Sequence, residues 1–159
     1  MVRPIALTLC CAVCLLAQNK YTGPRPTKAD VPYLLHASNL ISTEVGEAKE
    51  ESRKDELANV MRGASSPART PLAEPIFLLL SDKIAPEKLE LYKTTVKNGN
   101  REVTIPSNPK KRREMRPIKL SFTKLETGLY RLEVNEELEN GEYCLSPSGS
   151  MQVFCFQVY

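Results

Sequence analysis

Tyr143-Cys144-Leu145-Ser146-Pro147-Ser148-Gly149-Ser150-Met151-Gln152-Val153-Phe154-Cys155-Phe156 decides how the chain is read. Ser148-Gly149-Ser150-Met151 has the form of a two-residue hairpin turn with Gly149 first, where a type II′ turn needs positive φ and glycine supplies it at no steric cost. That register sets Tyr143 against Phe156 and Leu145 against Phe154 on one face of the pleat, and Cys144 against Cys155 on the other. The Cα spacing of a hydrogen-bonded antiparallel pair, about 5.5 Å, lies within disulfide range. A slip of one residue would spoil both faces. In an oxidising compartment the bridge adds about 2.5 to 3 kcal/mol on the loop-entropy description; the alternative is a pair of free buried thiols.

Upstream, Tyr130, Leu132 and Val134 alternate with Arg131, Glu133 and Asn135, the pattern of a strand with one wet face. Between the two lies Leu138-Glu139-Asn140-Gly141-Glu142-Tyr143. This spacing resembles the tyrosine corner of Greek-key β-sandwiches, in which a Tyr opening the penultimate strand returns its hydroxyl to backbone a few residues upstream. A plain loop followed by a core Tyr is the other reading. The resemblance implies an immunoglobulin-like sandwich of the cell envelope, and the whole chain resembles secreted bacterial proteins of that kind. It implies no mechanism, because sandwiches host unrelated roles.

The N-terminus has a signal-peptide layout over residues 1–18: Arg3, then an apolar run from Ile5 to Ala17, too short to span a bilayer comfortably. Cleavage there removes Cys10, Cys11 and Cys14 of the five cysteines and leaves the even pair Cys144 and Cys155. The predicted location is extracytoplasmic, periplasmic or secreted, with no transmembrane span. Residues 19–32, with Pro24, Pro26 and Pro32, read as a linker or surface strap, and 33–159 as one domain with one core.

The predicted fold is mainly β: an antiparallel two-sheet sandwich of about seven strands. Tyr33 to His36 is a short apolar strand. Ser42 to Gly63 is open between a solvated helix within 43–62 and two polar strands joined at Ser52 to Lys54, with strands preferred because every later element is β. Ala64 to Pro75 carries Pro67, Pro71 and Pro75 and must be an extended connection. Ile76 to Leu80 is a continuous apolar run, as in a strand buried on both faces. Leu89 to Val96 and Arg101 to Ile105 flank the hairpin dipeptide Asn98-Gly99. Pro117 to Leu125 alternates with Ile118, Leu120 and Phe122 on one face.

No catalytic residue is assigned. His36 is the one histidine and reads as a hydrogen-bonded structural residue; nucleophile elbow, P-loop, dinucleotide fingerprint and zincin motif are absent from the sequence. Two cysteines and one histidine lack the paired spacing of a zinc site, so neither metal nor cofactor is expected. The charge feature that stands out is Lys110-Lys111-Arg112-Arg113, followed by Arg116 and Lys119, which reads as a projecting loop suited to docking on an anionic surface. Nucleic acid is not the expected partner, since the loop interleaves no aromatic for base stacking.

Two function classes follow. The first is a non-catalytic binding or structural module of the envelope that contacts a protein or an anionic polysaccharide through the basic loop or a sheet edge. The second is a small carboxylate-dependent hydrolase of glycosidase type, for which a buried pair including Glu126, Glu133 or Glu142 would be the sign. The oligomeric state is left open.

Overall fold

The computed structural model describes residues 20–114 and 116–159. The signal-peptide reading of 1–18 lies outside the described residues. The first half of the chain forms β1 (Pro32–His36), β2 (Asn39–Ser42), β3 (Glu44–Glu47), β4 (Lys49–Arg53), β5 (Glu56–Arg62), β6 (Arg69–Thr70) and β7 (Ile76–Leu80). The second forms β8 (Leu89–Lys93), β9 (Thr95–Lys97), β10 (Asn100–Pro106), a short helix α1 (Pro109–Glu114), β11 (Leu120–Glu126), β12 (Leu129–Val134), β13 (Gly141–Pro147) and β14 (Gln152–Val158). The chain is mainly β, as expected, with more strands than the seven anticipated, because a third sheet is added to the sandwich.

The outer sheet has the order β11-β12-β7-β1-β2 and the middle sheet β3-β14-β13-β8. They pack face to face as the expected sandwich. Phe77 meets Phe156 edge to face, with ring centroids 5.1 Å apart, and Tyr143 stacks on Phe156 at 5.7 Å. Leu34, Leu132, Leu145 and Phe154 complete this core. β7 lies between β12 and β1, and Leu78 is as fully buried as Phe77 and Leu79 on its other side, as a continuous apolar run requires.

The closing hairpin keeps its predicted register: Tyr143 pairs with Phe156, Cys144 with Cys155 and Leu145 with Phe154. Cys144 and Cys155 are disulfide-bonded. The turn itself is wound one residue earlier than expected, with the Ser150 N–H donating to the Pro147 carbonyl at 2.9 Å and Gly149, at φ +77°, as its third residue. The tyrosine corner is present. Tyr143 Oη donates to the Glu139 carbonyl, four residues upstream, at 2.8 Å.

The third sheet, β4-β5-β10-β9, is built from the stretch whose structure the sequence left open. Residues 43–62 form strands and no helix, with a two-residue turn at Lys54-Asp55. A helix there would have had only a weak apolar stripe, whereas alternation points Asn59 and Met61 to one side and Ala58 and Val60 to the other.

Two strands pass from the middle sheet to the third without a loop, β3 into β4 through the buried Ala48 and β8 into β9 through the buried Thr94. Successive backbone amides point to opposite edges of a strand. Ala48 donates its N–H to Met151 O at 2.8 Å, while the Lys54-Asp55 turn pairs Arg53 with Glu56, so even positions bond β14 and odd positions bond β5. Thr94 likewise donates to Glu142 O at 2.8 Å, while the Asn98-Gly99 turn, both residues at positive φ, pairs Lys97 with Asn100. Each corner strand therefore bonds one sheet along each edge. The result is a closed antiparallel barrel of six strands: β3/β4, β5, β10, β8/β9, β13 and β14.

This closure changes the environment of the sulfurs. The sequence places them on the outer side of the final hairpin; in the structure they point into the barrel, packed against Ala48, Met61 and Val153. Other departures are local. His36 ends β1 and is exposed, beside a turn at Ala37-Ser38, so it is no buried structural residue. Before Leu120 the chain makes an isolated bridge from Ile118 to Leu91 and no continuous strand, and Phe122 is 37% exposed because β11 is an edge strand.

Candidate functional site

Charge and open space concentrate in two places, the basic helix and the barrel interior. Asn108 starts the helix: its Oδ1 accepts the Lys110 N–H at 2.9 Å, and Pro109 takes the first helical position. The predicted loop is thus an ordered turn and a half of helix. Lys110, Lys111 and Arg112 are exposed on it, Arg113 follows, and Arg116 and Lys119 are exposed on the way to β11. Among the described residues, Lys110, Lys111, Arg112, Arg116 and Lys119 make no ion pair; the paired cations are Arg25, Arg53, Lys93, Lys97, Arg101 and Arg131. Arg112 Nε donates to Pro106 O at 3.2 Å, which lays this side chain back toward the barrel.

Inside the barrel, at the end near Gly63, Arg101 is 1% exposed. Its guanidinium grips Glu44 in a two-pronged bond, Nη1 to Oε2 at 2.7 Å and Nη2 to Oε1 at 2.9 Å, and donates to the Gly63 and Arg62 carbonyls at 2.9 and 3.0 Å. Glu142, equally buried, lies 3.7 Å from Arg101 Nη1 and takes the Ser66 N–H on Oε2 at 2.9 Å. Burial pushes the Glu44 carboxyl up, but the hydrogen bonds and charge of Arg101, with help from Ser66, outweigh it and hold the group below its ordinary value.

Glu44 and Arg101 line a cavity of about 440 Å³ at the Gly63 end, and the opposite end of the barrel holds one of about 380 Å³. Met61, Val103, Ile105, Val153 and Cys144 wall it, the turn at Pro147 to Met151 and Arg112 stand at its rim, and Glu50, Asn59, Glu90 and Tyr92 supply the polar atoms. Tyr92 Oη donates to Glu90 Oε2 at 2.9 Å; burial, then Glu90, pushes the phenol up to about 12, which keeps its proton in place. Asn59 Oδ1 is buried and without a hydrogen-bond partner.

Glu126, Glu133 and Glu142 are not brought together with one another, and the carboxylate that Glu142 does adjoin, Glu44, shares the Arg101 guanidinium with it. Glu126 is bound by Arg25 of the Pro-rich strap, Glu133 by Arg131 at 2.7 Å, and Glu142 by the Arg101 cluster. Arg25 holds Glu126 below the ordinary carboxylate value, the reverse of what a general acid needs.

Sequence reading missed Arg101, Glu44 and the cavity. One signal was available: in Arg101-Glu102-Val103-Thr104-Ile105, alternation puts Arg101 on the side of Val103 and Ile105, so a buried arginine was legible as a breach of the pattern. The cavity had no such signal, since it depends on a barrel closing. Comparison of the chain with protein-family models, curated proteins and solved structures finds no match. Among the described residues, no helix is long and apolar enough to cross a membrane.

Proposed function

We propose that the protein is a non-catalytic binding or structural module of the cell envelope, working outside the cytoplasm on an immunoglobulin-like sandwich. In this reading the basic helix docks on an anionic glycan or an acidic protein surface. The observation that carries it is the exposure of Lys110, Lys111 and Arg112 on α1 and of Arg116 and Lys119 beyond it, none of which is ion-paired among the described residues. The disulfide supports an oxidising compartment.

The test is retention of the full chain on immobilised carboxylated and sulfated polysaccharides, eluted by salt, against a variant with Lys110, Lys111, Arg116 and Lys119 all replaced by Ser. Retention that collapses in the variant and weakens steeply with salt is the expected outcome. Equal retention of the two proteins would remove the basic helix from the reading.

A further inference from the structure

The barrel lumen carries carboxylates at both ends, each with a cavity and one buried acceptor that lacks a donor, Glu142 Oε1 at the Gly63 end and Asn59 Oδ1 at the other, and what distinguishes the ends is the cation. At the Gly63 end, Arg101 supplies the cation for Glu44 and Glu142. At the opposite end, Glu50 and Glu90 line the cavity and, among the described residues, neither is ion-paired. The topology sets these two on the corner strands β4 and β8, which stand across the ring from each other with β5 and β10 between them on one side. Asn59, on β5, adds the buried Oδ1 that lacks a donor, a costly state for a buried acceptor. Arg112 at the rim spends its Nε on Pro106 O and makes no ion pair with either carboxylate. Beneath these acceptors the wall is aliphatic and sulfur-bearing.

We infer that this cavity binds a small organic cation with an aliphatic body, an alkylammonium or alkylguanidinium, which supplies at this end the charge that Arg101 supplies at the other. Its N–H groups donate to Asn59 Oδ1 and to the Glu90 oxygen not engaged by Tyr92. Glu50 completes the charge balance from the facing corner, and the alkyl chain lies against Met61, Val103, Ile105 and Val153. The volume, about 380 Å³, suits a ligand of this size. Acceptors without donors and carboxylates without cations both disfavour an anion, in spite of the basic helix nearby. The inference does not depend on the proposed docking of that helix.

Titration calorimetry on the full chain at low salt, with n-hexylammonium, n-butylguanidinium, n-hexanol and n-hexanoate, tests it. The expected result is binding of both cations, at least tenfold weaker binding of hexanol and none of hexanoate. Glu90→Gln is expected to weaken hexylammonium at least fivefold, and Glu50→Gln, at the rim where folding is not at stake, about threefold. Nα-acetyl-lysine methylamide distinguishes the source: tighter binding than hexylammonium points to a lysyl side chain of a peptide, weaker binding to a free amine, and both support the shared chemistry. Hexanoate or hexanol binding as tightly as hexylammonium overturns the inference, as does hexylammonium binding that neither glutamine variant changes.

Discussion

Tyr143, Leu145, Phe154 and Phe156 meet the outer sheet as a dry core, whereas Glu142, Cys144 and Cys155, one residue along the same strands, look into the barrel. The two faces of the middle sheet therefore rest on different physics. On the first, burial of rings and aliphatic groups is enough, and a tenant is replaceable at the cost of its lost area and the hole it leaves. On the second, Arg101 bonds Glu44 and two carbonyls and lies 3.7 Å from Glu142, whose Oε1 has no hydrogen-bond partner, so the buried charges depend on this one cation being present.

The widest gap between the faces should be seen at Phe156, which touches both Phe77 and Tyr143. Phe156→Ala is expected to cost about 3 to 5 kcal/mol in urea unfolding, with no companion change able to recover it. A loss under about 1 kcal/mol would mean that the sandwich core does not hold the sheets together.

Next in size is Arg101→Met, expected to cost about 3 kcal/mol because it leaves Glu142 buried without a cation. Adding Glu142→Gln should return a substantial part, which no second change does at Phe156. If the double variant is no more stable than the single one, the ionic account of the barrel interior fails.

The smallest effect belongs to the outward face of the third sheet. There Arg53 reaches across the fully buried Ala58 to bond Glu102 with Nη2 at 2.7 Å and Nη1 at 3.1 Å. Those bonds hold the Glu102 carboxyl below its ordinary value against the opposing effect of burial, with Lys97 adding to them. A depressed carboxylate contributes stability above its unfolded value, and the contribution is lost as pH falls through the folded value. Glu102→Gln is therefore expected to be about 1 kcal/mol less stable than the parent at neutral pH, with the gap closing progressively below about pH 4.5. Thermal unfolding followed from pH 7 to pH 3 checks this, and a gap that stays constant across the range would contradict it.

The same contrast explains what could be read in advance. The sandwich face was legible because alternation, a glycine turn and paired cysteines all agree on one register, and because the Tyr143 spacing fixes how the chain enters the strand. The barrel face was not. Glu44, Glu50, Arg53 and Glu90 read as ordinary solvated charges, and only Arg101 breaks its local alternation, since nothing local marks a strand that will leave one sheet for another at Ala48 or Thr94. The basic cluster was legible as chemistry but not as structure: Asn108-Pro109 is a helix start, and the surrounding prolines argued for a loop instead. Nothing local marks Glu50 and Glu90 as cavity residues, because charge balance inside a lumen is a property of the closed barrel and of no segment within it.

Ala48 and Thr94 also bear on how the molecule comes apart. Each lies in a strand held along one rim by the middle sheet and along the other by the third, so neither layer can be peeled off while its neighbour stays whole. Hydrogen exchange that proceeds by subglobal opening should therefore find few steps to use here. The third sheet, polar as it is, then shares the lifetime of the aromatic core it never touches.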